Sequence, residues 1–152
     1  MAEHWFITLC FFVVAVGTRK DIAAYAFMAA LVSSIAVDAD SLAAEHVLVI
    51  IAASNCGLAV FSSYHYLAYK NKLALVSSVL SSIAVINNLY QVLSYSQIGI
   101  VLSEVLAWTM LIALLAFPGR QGWMFDVFPI DRRHGSSGVL RDSGHSRREG
   151  DN

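Results

Sequence analysis

One acidic residue, Glu104, stands well inside an apolar stretch that runs from Ile98 to Phe117. A charged and unpaired carboxylate in hydrocarbon costs at least a few kcal/mol, so it must be neutral, hydrogen-bonded or in contact with water. No Lys or Arg lies within the apolar stretches to neutralise it. Two chemistries fit: interhelical glue, with a neutral Glu104 bonded to Asn88, or a proton- or cation-responsive carboxyl that faces a pore. Asn88, Gln91 and Asn55 are the polar residues expected to join it. On antiparallel helices joined by a short turn near residue 96, Asn88 and Glu104 lie at the same depth, about 12 Å below the turn. Asn55 lies about eight residues into its own apolar stretch from the same side. Trp108 follows Glu104 by one turn on the same face.

Other constellations are weaker. Asp38, Asp40, Glu45 and His46 cluster in sequence and offer oxygen and imidazole groups to a cation, but their spacing matches no metal motif and reads as a solvated loop. His65, between Tyr64 and Tyr66, reads as interfacial. The chain lacks a glycine-rich phosphate loop, a nucleophile elbow, paired cysteine ligands and an HExxH helix, which argues against an enzyme and gives no cofactor or metal to expect. Cys10 and Cys56 fall inside apolar stretches and read as small packing residues.

The elements that must position these residues follow from charge. All ten Lys and Arg sit in three places: Arg19 and Lys20, Lys70 and Lys72, and a tail from Arg120 with Arg132, Arg133, Arg141, Arg147 and Arg148. Intervals of about fifty apolar residues separate these clusters, enough for two spans each at roughly 20 residues per ~30 Å of hydrocarbon. With cationic loops held in the cytoplasm, the pattern predicts an all-α, polytopic transmembrane helical bundle of five spans, N-terminus out and C-terminus in. The expected spans are about 5–17, 22–37, 47–69, 73–93 and 98–117, which make residues 1–117 the bundle. At 57% hydrophobic residues and a mean hydropathy of +0.62, the chain is too apolar for a soluble domain. The localisation expected is the cytoplasmic (inner) membrane. Glu3 ahead of the first apolar run, and Arg19-Lys20 after it, invert the charge order of a cleaved secretory signal.

Both prolines, Pro118 and Pro129, lie beyond the last span, so no span is broken in the way of transporters with unwound helices. Residues 118–130, with Trp123, Met124, Phe125, Val127 and Phe128, read as an interfacial segment. Residues 131–152 are polar and charged and are expected to be a disordered cytoplasmic tail, whose partner is unknown. Its mixed charge is too balanced for a nucleic-acid or anionic-lipid patch.

Small and hydroxylated residues form helix stripes. Ser77, Ser81, Ala84, Asn88 and Gln91 share one face of the fourth span; Asn55, Ser62 and Tyr66 lie on one face of the third, and Ser33 and Asp40 on one of the second. Such stripes let helix backbones approach closely, within the bundle or between copies, and a homo-oligomer in the lipid bilayer is expected. Ala30–Ser34 recurs as Ala74–Ser78 and Ser33–Val37 as Ser81–Val85, which fits either a duplicated hairpin or similar packing demands.

In overall build the chain resembles phage holins: it is short, almost entirely membrane span, without a catalytic constellation, and ends in a hydrophilic charged cytoplasmic tail. The resemblance is one of architecture along the whole chain, rests on no specific residue and departs in span number, since holins usually have fewer. It implies oligomers that permeabilise the inner membrane, with the serine, Asn88 and Gln91 face turned to water once enough copies assemble. The alternatives are a small proton- or cation-coupled transporter or channel subunit, in which Glu104 binds the ion, and an accessory structural subunit.

Overall fold

The computed structural model describes residues 2–94 and 96–121. Five α-helices account for nearly all of them: α1 Ala2–Thr18, α2 Asp21–Asp38, α3 Ala44–Tyr69, α4 Lys72–Ser94 and α5 Gln97–Ala116. Each helix is one apolar run bounded by charged or polar residues. α3 starts three residues before the expected span because Glu45 fits its first turn, where a carboxylate complements the N-terminal end of the helix dipole. α2 to α5 are long and apolar enough to cross a membrane. α1 is apolar but has 17 residues, about 25 Å of helix against a hydrocarbon core of ~30 Å. The interfacial segment expected over 118–130 is described only to residue 121; its remainder and the charged tail 131–152 lie outside the described residues.

Short connections make successive helices antiparallel neighbours. α1 packs on α2, α2 on α3, α3 on α4, α4 on α5, and α5 returns to α1, so the five helices close into a ring. One end of the ring carries the turns at Arg19-Lys20 and Lys70-Asn71 and the residues after α5; we call it the basic end. The loop 39–43 and Ser96 form the opposite, acidic end, named for Asp38, Asp40 and Glu45.

The basic end is closed. Phe11, Ile22, Ala23, Leu73, Ala74, Leu111 and Leu114 form a buried apolar plug there. Arg19 and Lys70 both adopt left-handed backbone, with φ of 50° and 51°, which reverses the chain within two residues. Lys20 Nζ donates to the carbonyls of Leu114 and Phe117, and Asp21 N–H donates to the Arg120 carbonyl at 3.2 Å. Chain 117–121 is thereby strapped across the α1–α2 turn. Gly119 permits this approach, since a Cβ there would lie 2.8 Å from both Lys20 Cδ and Leu73 Cδ2. An aromatic column lines the α2–α3 side: Tyr25 stacks on Phe61 at 3.5 Å, Phe61 meets His65 at 4.3 Å, and His65 meets Tyr69 at 5.2 Å. The Arg120 guanidinium covers Tyr69 at 4.3 Å. His65 is buried in this column.

Each sequential seam carries a polar side-chain contact between its helices. Thr8 and Ser34 hydroxyls meet at 2.6 Å between α1 and α2, and Ser33 and Ser54 at 3.4 Å between α2 and α3. Between α3 and α4, Ser62 pairs with Ser77 at 2.8 Å and Ser63 with Ser78 at 2.6 Å. Where lipid offers helices no hydrophobic reason to associate, small hydroxylated residues supply close packing and a hydrogen bond together. Ser77 and Ser81 are buried inside the single chain, so the face expected to serve packing does so within the bundle. The sequence echo takes a form other than a duplicated α2–α3 hairpin. Ser34 and Ser78, the last residues of the repeated pentapeptide, both bond back to the preceding helix. They lie at different depths, fifteen residues after Arg19 and eight after Lys70, which matches similar packing demands rather than superposable hairpins.

Candidate functional site

Toward the acidic end the ring does not fill. It leaves a partly open cavity of about 710 Å³, lined from all five helices and the loop 39–43. The floor lies where Phe11, Ala26, Leu58, Ser81 and Met110 meet the apolar plug, and the mouth lies at Asp40, Leu42 and Ala44. Small side chains on the inward stripes, Ala29, Ala30 and Ser33 on α2 and Ala84 on α4, leave this space open.

Glu104, Asn88, Gln91 and Asn55, the four residues singled out as a pore or ion site, all line this one cavity. Ser33, Ser81 and Ala84 line it as well, whereas Ser77 sits below it in the α3–α4 seam. The Glu104 carboxyl is exposed and makes no hydrogen bond among the described residues. The glue expected between Glu104 and Asn88 is supplied instead by Ser103, one residue earlier. Asn87 Nδ2 donates to Ser103 Oγ at 2.8 Å and to the Gly99 carbonyl at 2.8 Å. Gln91 Nε2 also reaches Ser103 Oγ, at 3.3 Å, and Ser103 Oγ donates to Asn88 Oδ1 at 3.3 Å. With these bonds made around Ser103, the neighbouring carboxyl is left to the cavity. Asn55 donates to its own helix at the Ile51 carbonyl, 3.0 Å away.

Nothing in the charge pattern singles out Ser103 and Asn87. The signal was present: Gly99 and Ser103 stand four apart on α5, a small-residue pair that brings α4 close. The approach is tight enough that a Cβ on Gly99 would lie 2.6 Å from Gln91 Cγ. Trp108 does not line the cavity; it lies 6.4 Å from Phe6 at the α1–α5 seam. Of the acidic loop residues only Asp40 lines the cavity, and among the described residues no group of three or more His, Cys, Asp or Glu could hold a metal ion.

The chain matches no protein-family model, no curated protein and no solved structure. What the cavity can do therefore follows from its walls. Among the described residues three titratable side chains line it, His4 from α1, Asp40 from the loop and Glu104 from α5, and neither Lys nor Arg does. Apart from these, the walls are amides, hydroxyls and apolar side chains. Such a wall accepts a positive charge or a hydrogen-bond donor at Glu104 and gives an anion no counter-charge.

Proposed function

We propose that the chain is an integral protein of the cytoplasmic (inner) membrane that takes a proton or a small cation into an internal cavity at Glu104, as a small transporter or channel subunit and not as an enzyme. The observation that carries this reading is an exposed carboxyl with no hydrogen-bond partner among the described residues, lining a cavity whose walls come from all five helices of one copy. Cationic turns favour the cytoplasm, so the basic end faces inward, α1 counts as a fifth span with its N-terminus out, and the cavity opens outward.

The holin-like reading draws on the same polar stripe but needs it between copies. Here Ser77, Ser81, Asn88 and Gln91 are buried within one chain, which gives the single-chain pocket the stronger support. Any homo-oligomer would form through the lipid-facing surfaces instead.

The test is ion flux into vesicles across pH for wild type, Glu104→Gln and Glu104→Leu. Glutamine keeps size and hydrogen bonding but cannot titrate. We expect both variants to accumulate in the membrane and to lose flux by on the order of tenfold or more, the scale of one charge-assisted contact. An active glutamine variant with the wild-type pH profile would reject the carboxyl as the ion site.

A further inference from the structure

We infer that the occupant of the cavity is a small organic ammonium with an apolar body and a hydrogen-bonding group at its far end. This inference rests on the reading of Glu104 as a cation site.

Size comes first. Calcium takes six to eight oxygens at about 2.3 to 2.6 Å and magnesium keeps several of its waters, and a water occupies about 30 Å³ of liquid. A cavity of about 710 Å³ is instead of the size that holds an organic ligand, roughly 300 to 1,000 Å³. The described residues also offer no cluster able to cage a metal. Charge comes second: among the described residues the walls carry Glu104 and Asp40, His4 as the third titratable group, and no Lys or Arg, so an ammonium is the complementary head.

The depth profile supplies the rest. Glu104, Asn88 and Gln91 form one layer, and below it, past Asn55, the walls turn apolar with Leu58, Leu80 and Met110. At the floor stands Ser81, 1% exposed, whose buried hydroxyl has no hydrogen-bond partner among the described residues. A buried hydroxyl without a partner is unfavourable, and Ser81 is one of the residues that line the cavity. Asn88 and Ser81 are seven residues apart on α4, about 10 Å of rise. A head held at Glu104 thus needs a body about 10 Å long to bring a hydroxyl or carbonyl to Ser81.

Thermal stability and calorimetric titration of the detergent-solubilised full chain test this, with aminooctanol, octylamine, octanol, sodium and magnesium as probes. We expect aminooctanol to stabilise wild type and to bind about fivefold more tightly than octylamine, the scale of one added hydrogen bond. Octanol should bind on the order of tenfold more weakly than octylamine, since it lacks the charge. Ser81→Ala should keep octylamine binding, which shows it folded, while losing the preference for aminooctanol. Glu104→Gln should bind the amines no better than octanol. Octanol binding as tightly as octylamine, or an aminooctanol preference that survives Ser81→Ala, would overturn the inference. Sodium or magnesium binding that depends on Glu104, with no amine binding, would overturn the organic ligand while leaving the cation site standing. Absence of any Glu104-dependent binding would overturn both.

Discussion

Replacing Ser77 with leucine should destabilise the bundle by about 2 to 4 kcal/mol, combining overpacking of a filled contact with the loss of a membrane hydrogen bond. Ser77 and Ser62 are both completely buried, and their hydroxyls meet at 2.8 Å where α3 crosses α4. No space exists there for an isobutyl group without driving the helices apart. Ser77→Ala removes only the hydrogen bond and should cost about 0.6 to 1.7 kcal/mol. Ser82→Leu adds the same bulk one turn away on an exposed face and should be nearly neutral. Denaturant unfolding in micelles ranks the three; a leucine at 77 no worse than one at 82 would mean that α3 and α4 do not meet there.

Lys20→Met should have the next largest effect, because this one side chain holds the α1–α2 turn to the last turn of α5. Its ammonium satisfies two carbonyls at the α5 C-terminus, those of Leu114 and Phe117, where positive charge is favoured by the helix dipole. Discounted for partial exposure, the loss should be about 1 to 2 kcal/mol, together with a looser α1–α5 seam. Alkaline pH should not reproduce it. Burial pulls the Lys20 pKa below the ordinary lysine value, so the folded chain releases this proton before the unfolded chain does. Over the window between those two pKa values the unfolded state holds more protons, and stability rises with pH. The neutral amine still has donors for both carbonyls. Unfolding of wild type and Lys20→Met across that window checks the sign.

The helices were legible in the sequence because membrane spans are written as apolar runs between charges, and the positions of Arg19-Lys20, Lys70-Lys72 and Asp38-Asp40 punctuate them. The polar stripe on α4 was legible too, through the four-three spacing of Ser77, Ser81, Ala84, Asn88 and Gln91. Which partner each stripe meets was not. Periodicity places residues on a face but is silent about the neighbour across it, so the acid at 104 drew the pairing that Ser103 makes. Ring closure was equally hidden, since Lys20 and Leu114 are 94 residues apart and a lysine in a turn looks like an orientation signal. The cavity arises from where small side chains coincide on several helices at one depth, a three-dimensional sum that no single segment records.

The central claim is a cavity enclosed by one chain, open at the acidic end and sealed at the basic end. Ala84→Cys tests it directly, in a chain with Cys10 and Cys56 replaced by alanine, since Ala84 lines the cavity and is small enough for the exchange. In sealed vesicles of known orientation, a membrane-impermeant thiol reagent should label this cysteine from the acidic end and not from the basic end. Val79→Cys, on an exposed apolar face, should stay unlabelled from both. Labelling of Ala84→Cys from the basic end, or from neither end, would contradict the claim.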